Sequence, residues 1–152
     1  MGDCCVNPSE LEIVNNGFCP SCKSKSRNIK VITLKSLLKP SALETLNGQI
    51  THYFCSSKDC DVVYFDINNK KYHVTEIKVA VYQKEDSSTT PICYCFDWTK
   101  EKIEKYINQE LTPKPIEHIR ENVKEYRCGC EVNNPQGSCC LGNVTKYIKS
   151  LS

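Results

Sequence analysis

No stretch of this 152-residue sequence approaches the ~20 consecutive apolar residues that a bilayer-spanning helix requires, so insertion in a membrane is not expected. An excess of either charge is also missing. Twenty Lys and Arg against 18 Asp and Glu leave a formal net charge of +2, which argues against a strongly basic nucleic-acid binder and against an acidic disordered tail. Residues 1–8 lack the basic region and apolar run of a secretory signal, so a cytoplasmic setting is expected. Catalytic constellations are absent as well: there is no nucleophile–base pair, no Gly-rich phosphate loop and no paired carboxylates, and His52, His73 and His118 are scattered. Hydrolysis and group transfer therefore have no support, and any enzymatic role is at most metal-reducing electron transfer.

What the sequence does hold is cysteine. Its 12 thiols, about 8% of the chain, fall into six close couples: Cys4-Cys5, Cys19/Cys22, Cys55/Cys60, Cys93/Cys95, Cys128/Cys130 and Cys139/Cys140. A cytoplasmic protein keeps such thiols reduced, which favours metal binding over the alternative of a disulfide framework.

Residues 1–16 carry little periodicity and are expected to form a flexible arm. Residues 17–88 read as short strands at 29–34, 52–54, 62–65 and 78–82. Asn68-Asn69 is a turn between 62–67 and 71–77, since Asn tolerates positive φ. The polar stretch 85–91, which ends in Pro91, predicts a boundary near residue 88. In residues 89–152 the period becomes helical. Thr99 is placed to cap a helix running to Glu110, Pro115 opens a second with Ile116, Ile119 and Val123 on one stripe, and Val144, Tyr147, Ile148 and Leu151 mark a third.

Cys19-Pro20-Ser21-Cys22 and the later Cys55-x4-Cys60 are turns that each adjoin a strand, the knuckles of a zinc ribbon. The expected site is a closed, structural Zn2+ site at Cys19, Cys22, Cys55 and Cys60. A rubredoxin-like iron and a disulfide pairing are the competing readings. His52 and Asp59 are near enough in sequence to replace a thiolate, although His52 reads as a surface strand residue. Further on, Cys93 and Cys95 can both ligate one iron, and a second iron would take two thiolates from the 128–140 segment. Residues 133–137 form a strong turn signal that would fold this segment back on itself. The helix start near Thr99 is expected to lend its amides and dipole to such an anionic centre, with Lys100, Lys102 and Lys105 on the wet face. The vicinal Cys4-Cys5 pair makes Cu(I) a further candidate ion, because soft thiolates select it.

Cys19-Pro20-Ser21-Cys22 with His52-Tyr53-Phe54-Cys55 to Cys60-Asp61-Val62-Val63-Tyr64-Phe65 resembles the zinc module in the N-terminal region of archaeal CopZ-type copper chaperones. Pro91-Ile92-Cys93-Tyr94-Cys95 and the segment from Cys130 through Asn134-Pro135-Gln136-Gly137 to Cys139-Cys140 look like the [2Fe–2S] module of that region, which is itself similar to bacterioferritin-associated ferredoxins. The resemblance implies an α+β fold, a small zinc-ribbon-like β domain (17–88) followed by a small helical [2Fe–2S] domain (89–152). It also implies Cys93, Cys95, Cys130 and Cys140 as cluster ligands, with Cys128 and Cys139 spare. Two departures stand out. Met1 is the only methionine, so the family's Met-x-Cys-x-x-Cys copper loop is not expected here, and the C-x2-C pair that closes the ferredoxin site is missing. The implied function is one-electron transfer in copper or soft-metal handling, such as reduction of Cu(II) to Cu(I) or a copper chaperone role, with a protein redox or metal-transfer partner. The alternative is a non-redox metal or cluster carrier acting on a protein partner. A third reading, structural zinc alone, predicts a colourless protein.

Overall fold

The computed structural model describes residues 15–151, so Cys4 and Cys5 and nearly all of the expected arm lie outside the described residues. Four strands form one antiparallel sheet in chain order: β1 (Arg27–Ile29), β2 (His52–Phe54), β3 (Val62–Asp66) and β4 (Lys71–His73). All five residues of β3 are buried, as suits an inner strand covered on both faces. Side chains alternate across a strand, and here the alternation divides two environments. Phe54 and Tyr64, cross-strand partners, join Ile29, Leu34, Leu37, Leu38 and Tyr72 in one apolar cluster. Tyr53 and Phe65, the next pair along, stack with ring centroids 5.3 Å apart and pack on Cys19, Cys55 and Cys60. The turn expected at Asn68-Asn69 is present, with Asn69 at φ 66°.

Three strand expectations need correction. Residues 29–34 are not one strand: β1 ends at Ile29, and α1 (Val31–Leu37) follows. Its buried residues Thr33, Leu34 and Leu37 have helical spacing, and burying that face outweighs the strand preference of the β-branched residues. The strand read from Lys71 stops at His73, and Val74–Glu76 makes a 3-10 turn in which Glu76 accepts from the His73 amide. Residues 78–82 form no strand either. Ile77 makes a single bridge to Leu38, and Val79 and Val81 reach the core from an irregular segment. A four-residue helix, α2 (Pro40–Leu43), lies between α1 and β2.

Beyond Pro91 the expected helices appear. The two-stranded ribbon β5 (Pro91–Cys93) and β6 (Trp98–Thr99) leads into α3 (Lys100–Asn108), where the Thr99 hydroxyl accepts from the Lys102 amide at 3.2 Å. Pro115 opens α4 (Pro115–Lys124), α5 (Cys130–Asn133) is a single turn, and α6 (Leu141–Ser150) closes the described chain. Ile92, Trp98, Ile103, Ile119 and Val144 form the second apolar cluster. No described helix is long and apolar enough to cross a membrane.

The 128–140 segment leans on the sheet and α1. The Thr33 hydroxyl donates to the Glu131 carbonyl at 2.6 Å, the Tyr64 phenol donates to the Pro135 carbonyl at 2.6 Å, and Arg27 donates to the Ser138 hydroxyl at 3.0 Å. Gly137 sits at φ 70°, and a Cβ there would lie 2.9 Å from Thr33 Oγ1 and 3.0 Å from Ile29 Cγ1. Only glycine combines that backbone with so close an approach.

Candidate metal centres

Cys19 and Cys22 lie on the first knuckle, where the Lys23 amide returns to the Cys19 carbonyl at 2.9 Å. Cys55 follows β2 and Cys60 precedes β3, so adjacent antiparallel strands bring the second couple together. The four sulfurs all lie within 4.8 Å of one another, with Cys19–Cys60 at 3.8 Å and Cys22–Cys55 at 3.6 Å. Tetrahedral zinc with Zn–S bonds of ~2.3 Å requires S···S separations of about 3.8 Å, so the donor set fits one such ion with no open position. Burial pushes the Cys55 thiol up, to about 12, against the pull of the Lys84 ammonium, whose Nζ lies 3.4 Å from Cys55 Sγ. At Cys22 burial acts upward too, but hydrogen bonds from Ser24, Cys55 and Cys19 together bring the thiol down to about 6. Cys22 and Cys55 thus hold their protons unequally, and an entering metal would displace them.

His52 is not a surface residue. It is 1% exposed, its Nδ1 meets the Ile50 carbonyl at 3.0 Å, and its buried Nε2 has no partner. Its position opposite Asp66 between β1 and β3 places it inside the sheet, and the sulfur quartet is complete without it or Asp59.

The second set gathers around β5 and the two short segments that open α5 and α6. Cys95 Sγ lies 3.6 Å from Cys130 Sγ. The Cys140 thiol hydrogen-bonds both Cys130 and Cys93, and these contacts push it far up. The same contact with Cys140, then that with Cys95, brings Cys130 down to about 3, and Cys93 is lowered chiefly by Cys140. The structure therefore brings Cys93, Cys95, Cys130 and Cys140 together. Among the described residues, the first quartet is the one group of three or more candidate donors that fits within 4.8 Å, so this second set is more open. A centre of two bridged metals needs that wider spacing, because each pair of thiolates serves its own ion.

Amide donors surround these sulfurs. The Gly129 N–H lies 3.1 Å from Cys95 Sγ, and the amides of Phe96 and Cys140 serve Cys93 and Cys130. The helix start at Thr99 is not among the donors. Its first amides are used by Ser88 and by the Thr99 hydroxyl, and it is α5 and α6 that begin at this site. Of the lysines there, Lys102 lies over the Trp98 ring at 4.5 Å and Lys100 pairs with Asp86 at 2.9 Å. Cys128 is half-buried and Cys139 is exposed, and all ten described cysteines are free thiols.

Sequence reasoning missed Tyr94, Lys84 and Gln136. The phenol of Tyr94, inside the C-x-C couple, accepts from the Tyr82 amide at 2.9 Å and donates to the Ala80 carbonyl at 2.5 Å. Nothing in the local sequence of Lys84 signals a contact with Cys55. Gln136 lay within a recognised turn, but its partners are distant in sequence.

Residues 16–78 match the CopZ-type family described as a zinc binding domain. The copper chaperone CopZ of Archaeoglobus fulgidus is 28% identical over 122 residues, covering 80% of this chain, and the chain spans 57% of that relative's length. The crystal structure of the N-terminal domain of the same protein superposes with a TM-score of 0.69 at 25% identity, covering 84% of this chain and 95% of that domain. Residues 16–78 are thus similar to the CopZ-type zinc binding domain, within a chain that shares the α+β fold of the CopZ N-terminal domain.

Proposed function

We propose that this chain is a two-centre metal protein, with Zn2+ at Cys19, Cys22, Cys55 and Cys60 and a [2Fe–2S] cluster at Cys93, Cys95, Cys130 and Cys140, acting by one-electron transfer in copper or soft-metal handling. The observation that carries this reading is the contrast between the two sulfur sets. One is a tight quartet within 4.8 Å, and the other is an open set linked through Cys95–Cys130 at 3.6 Å and through Cys140. The two apolar clusters support a division near residue 88 into a zinc-binding β domain (17–88) and a helical cluster domain (89–152).

A [2Fe–2S] cluster in the second site would supply a one-electron couple. This chain's own residues provide four thiolates, neutral N–H donors from Gly129, Phe96 and Cys140, and an apolar floor of Ile92, Trp98 and Val144 that limits water. Copper is cargo in this reading: one electron takes Cu(II) to Cu(I), the form that thiolates hold. The similarity to a protein named copper chaperone supports that context and a metal-transfer or redox protein partner, in the cytoplasm where thiols stay reduced.

A second reading, a non-redox cluster or metal carrier, is favoured by one observation. Cys139 is exposed beside the buried Cys140, which gives an acceptor thiol a point of entry.

Anaerobic purification with metal and sulfide analysis tests the proposal. About two irons, two acid-labile sulfides and one zinc per chain are expected, with an EPR signal on reduction. One iron without sulfide overturns it. Adding Cu(II) to the reduced protein separates the two readings: reoxidation with Cu(I) trapped supports electron transfer, and a centre that stays reduced leaves the carrier.

A further inference from the structure

We propose that the dipeptide Gln83–Lys84 bridges the two metal centres, and that Gln136 is the positioning residue through which it acts on the second. This rests on the two-centre reading above. Lys84 reaches the first site, its ammonium donating to the Ser57 carbonyl at 2.6 Å within the second knuckle and lying 3.4 Å from Cys55 Sγ. Its chain neighbour Gln83 reaches the other site, where its Nε2 donates to Gln136 Oε1 at 2.6 Å. One peptide bond joins the two residues, so a displacement of the backbone at one end of this bridge is carried to the other.

Gln136 is held in one orientation. Its Oε1 accepts from both Gln83 Nε2 and Asn143 Nδ2, the latter at 2.7 Å, while its Nε2 donates to the Ser138 carbonyl at 3.2 Å and the Cys139 carbonyl at 3.0 Å. All four hydrogen-bonding positions of the amide are filled, and flipping it would set donor against donor and acceptor against acceptor. The Cys139 carbonyl and the Cys140 N–H belong to the same planar peptide unit. Gln136 fixes the carbonyl end of that plane, and the N–H end hydrogen-bonds the Cys130 sulfur. The side chain of Gln136 therefore aims an amide at a cluster sulfur without touching the cluster. Hydrogen bonds to cluster sulfurs set the potential of such centres, and partners that orient the ligands set their metal retention.

The test uses Gln83→Ala, Lys84→Met and the double variant in the full-length protein purified without air. The measurements are zinc and iron content, the EPR spectrum of the reduced protein, its midpoint potential, and the rate of iron loss to a chelator. Gln83→Ala should keep wild-type zinc and iron content but lose iron faster by a factor on the order of ten, with a shifted EPR signal. Lys84→Met should accelerate both zinc and iron loss, and Lys84→Arg should restore zinc retention. In the double variant, iron loss should fall short of the product of the two single effects, as expected for one chain of contacts. Wild-type iron loss and an unchanged EPR signal in both single variants overturn the bridge. If Gln83→Ala loses both metals, Gln83→Asn decides: it keeps the amide and shortens its reach, so fast iron loss from a folded protein supports the bridge and wild-type loss overturns it. A wild-type protein without iron would instead sink the two-centre reading.

Discussion

The phenol of Tyr64 donates to the carbonyl of Pro135 at 2.6 Å in a fully buried setting. Tyr64 stands in the middle of β3, and Pro135 lies at the turn between Cys130 and Cys140. One hydrogen bond thus joins the four-stranded sheet to the loop that carries half of the second sulfur set. Burial drives the Tyr64 phenol far above its ordinary pKa, so it is a permanent donor. Replacing Tyr64 with Phe leaves the Pro135 carbonyl buried without a partner, and should cost about 1–3 kcal/mol in urea unfolding. A loss below ~0.5 kcal/mol would show that the carbonyl finds another donor.

Gly137→Ala strikes the same loop from the backbone side. A left-handed residue with a Cβ costs roughly 1–2 kcal/mol, and the contacts with Thr33 and Ile29 at 2.9 and 3.0 Å add to it. The variant should unfold at lower denaturant and bind less iron, with zinc content kept. Equal iron and equal stability would contradict the close packing seen here.

His52 gives a pH dependence. Burial lowers its pKa, and the charged form would place an N–H at a buried Nε2 site that has no acceptor. Above the ordinary value of 6.5 both the folded and unfolded protein carry neutral His52, and its full contribution is present. As pH falls through 6.5 the unfolded chain takes up the proton first, so stability declines toward the lower folded value. Unfolding free energies at about pH 7.5 and about pH 5.5 should differ less in His52→Gln than in the wild type.

Cys60→Ser removes one sulfur from a set that offers no spare. Zinc per chain should fall well below one, and the near-UV signal of Tyr53 and Phe65, which pack against that set, should weaken. Unchanged zinc content would mean that the ion is held elsewhere.

Cys139 should be the first of the described thiols to react with iodoacetamide under anaerobic conditions, and Cys93 and Cys140 the last, as mapped by mass spectrometry. Early labelling of Cys140 would mean that the second site opens readily.

Much of this was legible in the sequence because cysteine couples and helix caps are local signals. Cys19/Cys22 and Cys55/Cys60 gave the first quartet from spacing, and Thr99 and Pro115 gave two helix starts to the residue. The Val31–Leu37 helix was misread because β-branched residues mask a helical stripe when only one turn is buried. His52 was placed on the surface because its burial depends on β1 and β3, which flank it in the sheet but not in the sequence. The donors at the second site were misassigned to α3 for a similar reason. A helix start announces itself locally, but which site it faces is set by tertiary packing.

The docking of α5 against α1 has a consequence for anyone who would cut this protein. The Thr33–Glu131, Tyr64–Pro135 and Arg27–Ser138 contacts make the sheet and α1 part of the mould in which the C-terminal cysteines are cast. A fragment beginning at residue 89 would keep all six of its thiols and its helices but leave the 128–140 segment without its backing. Transplanting that half into another scaffold therefore means carrying over a surface as well as a motif.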